Sequence, residues 1–162
     1  MKSIMYVSSS GGHFTQLEAY LSLSRIKVKK ILVAPCNSKI IKGSTFCKIH
    51  DTNRDDFIGI LKYFFFFIYI IIKHKPDLII SMGAAPGALA LIVGKCLFVK
   101  GIWVESIANA ATPSLSGKLV KKIAKYWVTQ SSDVNVNYGG LYYGKIFNIY
   151  KRRNSATLRQ TH

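Results

Sequence analysis

The sequence predicts an α/β fold, a Rossmann-like doubly wound parallel sheet. Three observations carry that expectation: short apolar runs alternate with helical patterns, and two of the runs lead into helices through turns of small residues. The third is length, since 162 residues make about one domain of the usual ~100–200 residues. No internal repeat and no Pro- or Gly-rich linker divides residues 1–150, which read as a single domain. Residues 151–162 are basic, polar and unpatterned, and read as a flexible tail, frayed or ordered by a partner.

The first strand is expected at residues 4–7, followed by the turn Ser8-Ser9-Ser10-Gly11-Gly12-His13 and a helix with Phe14, Leu17 and Leu21 on one face. Residues 31–34 and 46–49 read as the next strands. An apolar helix is expected near 55–75, with Asp55 and Asp56 at its positive end and Lys73, His74 and Lys75 before Pro76. A strand at 78–81 leads through Met82-Gly83-Ala84-Ala85 into a helix that Pro86 begins, with Ala88, Leu91, Ile92 and Lys95 in register. Strands at 102–104 and 127–129 flank a last helix. On it Lys118, Lys121, Lys122 and Lys125 fall at i, i+3, i+4 and i+7, with Leu119, Val120 and Ile123 opposite.

Composition narrows the function. Apolar and aromatic residues are 49% of the chain and charged residues 19%, which excludes a disordered segment. Lys and Arg number 23 against 7 Asp and Glu, a formal charge of +16 that favours polyanions or an anionic membrane face. Cys36, Cys47 and Cys96 are odd in number and lack C-x-x-C spacing, so the sequence supports neither a disulfide framework nor a metal site. The apolar start of the chain is too short for a signal peptide, and a cytoplasmic protein is expected.

In the helix near 55–75, residues 63–72 are apolar or aromatic on every face, whereas a helix covering a sheet in water needs a polar stripe. At ~1.5 Å per residue the run spans roughly 15 Å, half of a ~30 Å bilayer core. The segment therefore either lies in one leaflet, through Phe64, Phe65, Phe67, Ile68 and Ile71, or is buried between the sheet and another chain. The lysine stripe reads as a solvated face or as a contact to anionic headgroups. Nucleic acid is not expected as a partner, because the aromatic residues are bunched rather than interleaved with Lys or Arg as stacking platforms require.

The turn at 8–13 joins a strand to a helix, where free backbone N–H groups and the helix dipole favour an anion such as phosphate. It lacks the G-x-G-x-x-G spacing and the acidic residue of a dinucleotide site, and Ser116-Gly117-Lys118-Leu119 is not a Walker loop. No cofactor is therefore implied. The alternative is that Gly11 and Gly12 only permit a tight turn that His13 caps. A second small-residue turn at Gly83 on the same sheet edge favours the ligand reading. The candidate phosphate-binding residues are Ser10, Gly11, Gly12, Gly83 and Ser106. Glu105 directly follows the strand at 102–104, either bordering that edge or paired with a lysine.

Taken in order, these motifs resemble a known family, the smaller, membrane-associated half of split glycosyltransferases. Its eukaryotic member recruits the UDP-GlcNAc transferase of dolichol-linked oligosaccharide synthesis, and bacterial members serve capsular or exopolysaccharide synthesis. The matching positions are Ser9-Ser10-Gly11-Gly12-His13, Gly83 with Pro86, residues 101–108, Leu115-Ser116-Gly117-Lys118-Leu119, Trp127-Val128-Thr129-Gln130, and Tyr142-Tyr143-Gly144-Lys145-Ile146-Phe147. The resemblance implies the N-terminal half of a GT-B transferase, acting as the acceptor-side subunit. A catalytic donor-binding subunit is the implied partner, and a polyprenyl-pyrophosphate-linked saccharide the acceptor. It places His13 beside the acceptor pyrophosphate, as a base or a hydrogen-bond donor, and Glu105 at the inter-subunit cleft, the two being the candidate catalytic residues. The expected location is the cytoplasmic face of a membrane, held without a full span. A stand-alone nucleotide-sugar or sugar-phosphate enzyme is the alternative, and a basic nucleic-acid-binding domain, suggested by charge alone, is the third reading.

Overall fold

The computed structural model describes residues 2–24, 26–35, 43–49, 57–146 and 148. Its elements run β1 (Ser3–Val7), α1 (Gly12–Leu23), β2 (Lys29–Pro35), β3 (Ser44–Ile49), α2 (Phe57–His74), β4 (Leu78–Ser81), α3 (Ala84–Cys96) and β5 (Lys100–Val104). Then follow α4 (Leu115–Val120), β6 (Tyr126–Thr129), α5 (Ser132–Tyr138) and β7 (Leu141–Tyr142). The seven strands form one sheet in the order β3-β2-β1-β4-β5-β6-β7, and every pairing is parallel. This is the predicted doubly wound Rossmann-like architecture. Continuous apolar runs suit the inner strands because a parallel sheet is covered on both faces.

Two cores follow from the strand alternation. Met5, Val7, Ile31, Val33, Ile79, Trp103 and Trp127 meet α2, α3 and α4 on one face. Ile4, Tyr6, Leu32, Ile80 and Val104 meet Phe14, Leu17 and Leu21 of α1 on the other. Among the described residues an apolar cavity of about 460 Å³ lies beside α1 on that second face, lined by Ile80, Ile102, Val104, Val128 and Ile146 among others.

The helices correct several expectations. In α2, Phe67 and Ile71 are 0% and 3% exposed and belong to the core, while Phe64 and Ile68 are half-buried against it. Of the five residues expected at a membrane only Phe65, 60% exposed, stands clear. The exposed stripe is instead Ile58, Leu61, Phe65, Tyr69 and Ile72, one face at helical spacing. Asp55 and Asp56 lie outside the described residues, as do Cys36 and the 151–162 tail.

In α3 the helix starts at Ala84, two residues before Pro86, whose missing N–H is harmless in a first turn. Its buried side includes Gly87, Ala90, Leu91 and Gly94, and Lys95 is exposed. The lysine stripe is not one helix face. α4 ends at Val120 because the chain must reach the sheet edge, where the Lys125 N–H donates to the Gly101 carbonyl (2.8 Å). Lys118, Lys121 and Lys125 then lie over the rings of Tyr138, Trp127 and Tyr126 at 5.9, 5.5 and 5.2 Å. Lys122 is exposed, and so is Leu119, expected on the inner side.

Candidate functional site

The strand order reverses between β1 and β4, so the helices that follow them leave the same sheet edge toward opposite faces. That switch point is where doubly wound sheets open a crevice. Both turns there use a glycine as N-cap: Gly11 at φ 66° for α1 and Gly83 at φ 99° for α3. Neither helix start has a side-chain cap, whereas α4 and α5 are capped by the hydroxyls of Ser114 and Ser131. First-turn N–H groups of α1 and α3 are therefore left facing outward at the positive ends of two helix dipoles.

His13 spans the two turns. Its Nδ1 lies 2.8 Å from the Met82 carbonyl oxygen, which can only accept, so Nδ1 carries the hydrogen. In the neutral ring the lone pair is then on Nε2. Gly83 makes room for this arrangement, because a Cβ there would sit 2.8 Å from the imidazole Cε1 and Nδ1. The following Ala84 is held at φ 64°, a left-handed conformation unusual for a residue with a side chain.

Ser9, His13, Ala84, Ala85 and Pro86 wall one side of a cavity of about 300 Å³. The segment between β5 and α4 closes the other side with Ser106, Ala108, Asn109, Ser114 and Ser116. Ser10, Gly11 and Gly12 are exposed in the first turn. Glu105, expected beside His13 as a catalytic residue, lies behind the cavity wall at 1% exposure and is not among the lining residues. Its Oε2 accepts from Trp103 Nε1 (3.0 Å) and its Oε1 from Asn109 Nδ2 (2.6 Å) and the Ser106 N–H (3.3 Å). The lysine pairing that the sequence left open is absent among the described residues, and three neutral donors satisfy the buried carboxylate.

Two buried glutamines complete the support. Gln130 Nε2 donates to the Glu105 carbonyl (3.0 Å) and to Gln16 Oε1 (2.7 Å), and Gln16 Nε2 donates to Ser106 Oγ (3.3 Å). Gln130 Oε1 accepts from the Ile146 N–H (3.1 Å). One network thus ties α1, the β5–α4 segment, β6 and the chain at Ile146. Among the described residues no cluster of three His, Cys, Asp or Glu side chains is placed to hold a metal ion.

Residues 22–146 match the model of a family described as "Oligosaccharide biosynthesis protein Alg14 like". The chain belongs to that family. No curated protein sequence matches it. Among solved structures this Alg14-like chain is similar to MurG of Acinetobacter baumannii, with a TM-score of 0.65 at 15% identity over 83% of the chain and 43% of MurG. It is also similar to UDP-N-acetylglucosamine 2-epimerase of Rickettsia bellii (TM-score 0.73, 14% identity, 97% and 48% covered). A glycosyltransferase of Rickettsia africae aligns with a TM-score of 0.56 at 17% identity, over 80% of this chain and 36% of its own. The Alg14-like chain thus has the Rossmann-like fold found in these sugar-nucleotide and glycosyltransferase structures, and spans less than half of their length.

Of the residues expected from the sequence, His13 and Ser106 line the Alg14-like cavity, Gly83 packs against the His13 ring beside it, and Ser10, Gly11 and Gly12 are not among its wall residues; Ser9, Asn109, Ser114 and Ser116 are wall residues that were not among the candidates. Gln16 carried no signal, and Gln130 entered only as the last residue of the Trp127-Val128-Thr129-Gln130 match, with no role attached. Gln16 falls beside Leu17 on the buried side of α1, a place that apolar periodicity assigns to a hydrocarbon side chain.

Proposed function

We propose that this Alg14-like chain is the acceptor-side half of a two-chain glycosyltransferase. It binds a polyprenyl-pyrophosphate-linked saccharide while a separate subunit supplies the nucleotide sugar. The observation that carries the reading is the cavity at the switch point, where two uncapped helix starts and an oriented histidine converge. Two dipole ends with free N–H groups suit a diphosphate. Nε2 of His13, its partner nitrogen pinned on the Met82 carbonyl, takes the proton of the attacking acceptor hydroxyl or holds that hydroxyl in line. Gly83 and the Glu105 network keep the walls in place. The chain spans less than half of the length of the similar structures, and in this reading the donor sugar is held by the separate subunit.

A lipid-linked acceptor also fits the outer surface. α3 and α4 begin at the cavity, and with α2 they form one layer carrying no Asp or Glu. Ile58, Leu61, Phe65, Tyr69 and Ile72 of α2, and Leu115 and Leu119 of α4, are exposed on it beside Lys62, Lys73, Lys95 and Lys118. No helix among the described residues is long and apolar enough to cross a membrane. The layer instead rests on an anionic leaflet, apolar side chains inward and lysines at the headgroups, each lysine contributing roughly 1 kcal/mol.

The test is reconstitution. The purified chain should transfer nothing alone, and with a donor-binding lobe should glycosylate a polyprenyl-pyrophosphate saccharide. His13→Ala should lower turnover of the assembled pair by ~100–10,000-fold while assembly persists. Turnover of a nucleotide sugar by the chain alone would overturn the two-chain reading, and near-normal turnover of the His13→Ala pair would remove the proton-transfer role.

A further inference from the structure

Glu105 does not reach the cavity, yet the groups it holds do. A carboxylate only accepts, so the Asn109 side chain has to turn Nδ2 toward Glu105 Oε1, which it meets at 2.6 Å. The opposite end of the amide, Oδ1, is then an acceptor, and nothing donates to it among the described residues. Asn109 is half-buried and lines the cavity with Ser106. Glu105 itself has no freedom to reverse this polarity. Trp103 Nε1 occupies Oε2, and Gly117 packs so closely that a Cβ there would lie 1.9 Å from the same oxygen.

We propose that Glu105 is a positioning residue that fixes the direction of the Asn109 amide, and that Asn109 Oδ1 reads a hydroxyl of the acceptor sugar. The inference rests on the acceptor-side reading above and adds what this wall recognises. Phosphoryl oxygens only accept hydrogen bonds, so an outward-facing Oδ1 repels a diphosphate and matches a hydroxyl donor. The cavity is thereby divided: diphosphate toward the helix starts of α1 and α3, sugar toward Asn109. A pocket built to pair with a hydroxyl discriminates strongly against ligands that lack it.

The test measures binding of two probes to the full chain in detergent micelles, a short-isoprenyl diphosphate carrying N-acetylglucosamine and the same isoprenyl diphosphate without sugar. The wild-type chain should bind the sugar-bearing probe more tightly. In Glu105→Gln, with the amide oxygen kept by Trp103 Nε1, the new NH2 faces Asn109, the long Ser106 N–H contact is given up and the Asn109 amide turns over; affinity for the sugar-bearing probe should fall about tenfold while the sugarless probe is unaffected. Asn109→Ala should do the same without disturbing the buried carboxylate, which keeps the proposal testable if Glu105→Gln fails to fold. In the double variant E105Q/N109D the new amide donates to the new carboxylate, an acceptor again faces the cavity, and most of the lost affinity should return. Equal weakening of both probes by Asn109→Ala, or a folded double variant that binds the sugar-bearing probe no better than E105Q, would overturn the proposal. A wild-type chain that binds both probes equally would overturn the sugar contact but leave the diphosphate site standing, and one that binds neither would overturn the acceptor-side reading and this inference with it.

Discussion

Tyr6 is fully buried under α1, and its hydroxyl has no hydrogen-bond partner among the described residues. Burial, with a smaller contribution from the neighbouring Tyr20, pushes its pKa up to about 12. The unfolded chain releases this proton near pH 10, so the stabilising contribution is complete below pH 10 and is lost as pH rises from there through 12. Two units correspond to roughly 2–3 kcal/mol. Tyr6→Phe removes both the titration and an unsatisfied buried hydroxyl, and should stabilise the protein by about 1 kcal/mol at pH 7. Urea midpoints of the two proteins at pH 7 and pH 11 check this: the variant should lead at both, and by more at the higher pH. A variant weaker than the parent at pH 7 would mean that a water serves the hydroxyl. At this scale the sequence betrays residues whose chemistry is local, such as His13 after a glycine turn. It hides residues defined by distant partners, because the Gln16 to Gln130 contact joins positions 114 apart.

The elements sort by how much of their signal is local. β1, β2, β4, β5 and β6 stand where their apolar runs fall, since a buried parallel strand is a contiguous apolar run; β4 coincides with its run, β1, β5 and β6 begin a residue or two earlier, and β2 is longer by three residues. β7 is only Leu141–Tyr142, too short for any pattern, and α5 is polar along most of its length, so neither is legible. α2 is legible as a helix but not in its orientation, because a segment apolar all round offers no face to choose; only packing separates Phe67 from Phe65. That separation gives a pair of opposite outcomes. Ile58→Ser with Phe65→Ser should leave thermal stability within about 0.5 kcal/mol of the parent and abolish sedimentation with anionic vesicles. Phe67→Ala should instead cost about 3–5 kcal/mol and leave vesicle binding of the folded fraction intact. Loss of stability in the first variant would show that the stripe packs within the protein rather than on lipid.

For the whole molecule, the position of β1 in the middle of the sheet governs when the protein can exist at all. β1 is made first, yet one of its two neighbours is β4, and Ser3 closes onto Asp77 through a 2.7 Å hydrogen bond from its backbone N–H. At translation rates of about 5–20 residues per second, several seconds separate the two strands as they leave the ribosome. Throughout that interval the Met5 and Val7 side chains, whose cover includes α3, and one edge of β1 lack their native neighbours. Such delayed parallel pairing is slow and exposes the chain to aggregation. Arrested nascent chains should therefore be digested readily by protease when only residues up to 75 have emerged, and should become resistant once β5 has also emerged. If resistance appears before β4 emerges, β1 and β2 are stabilised by α1 alone. The sheet order that creates the cavity at its reversal also leaves the newborn chain dependent, for those seconds, on whatever protects unfinished proteins in the cell.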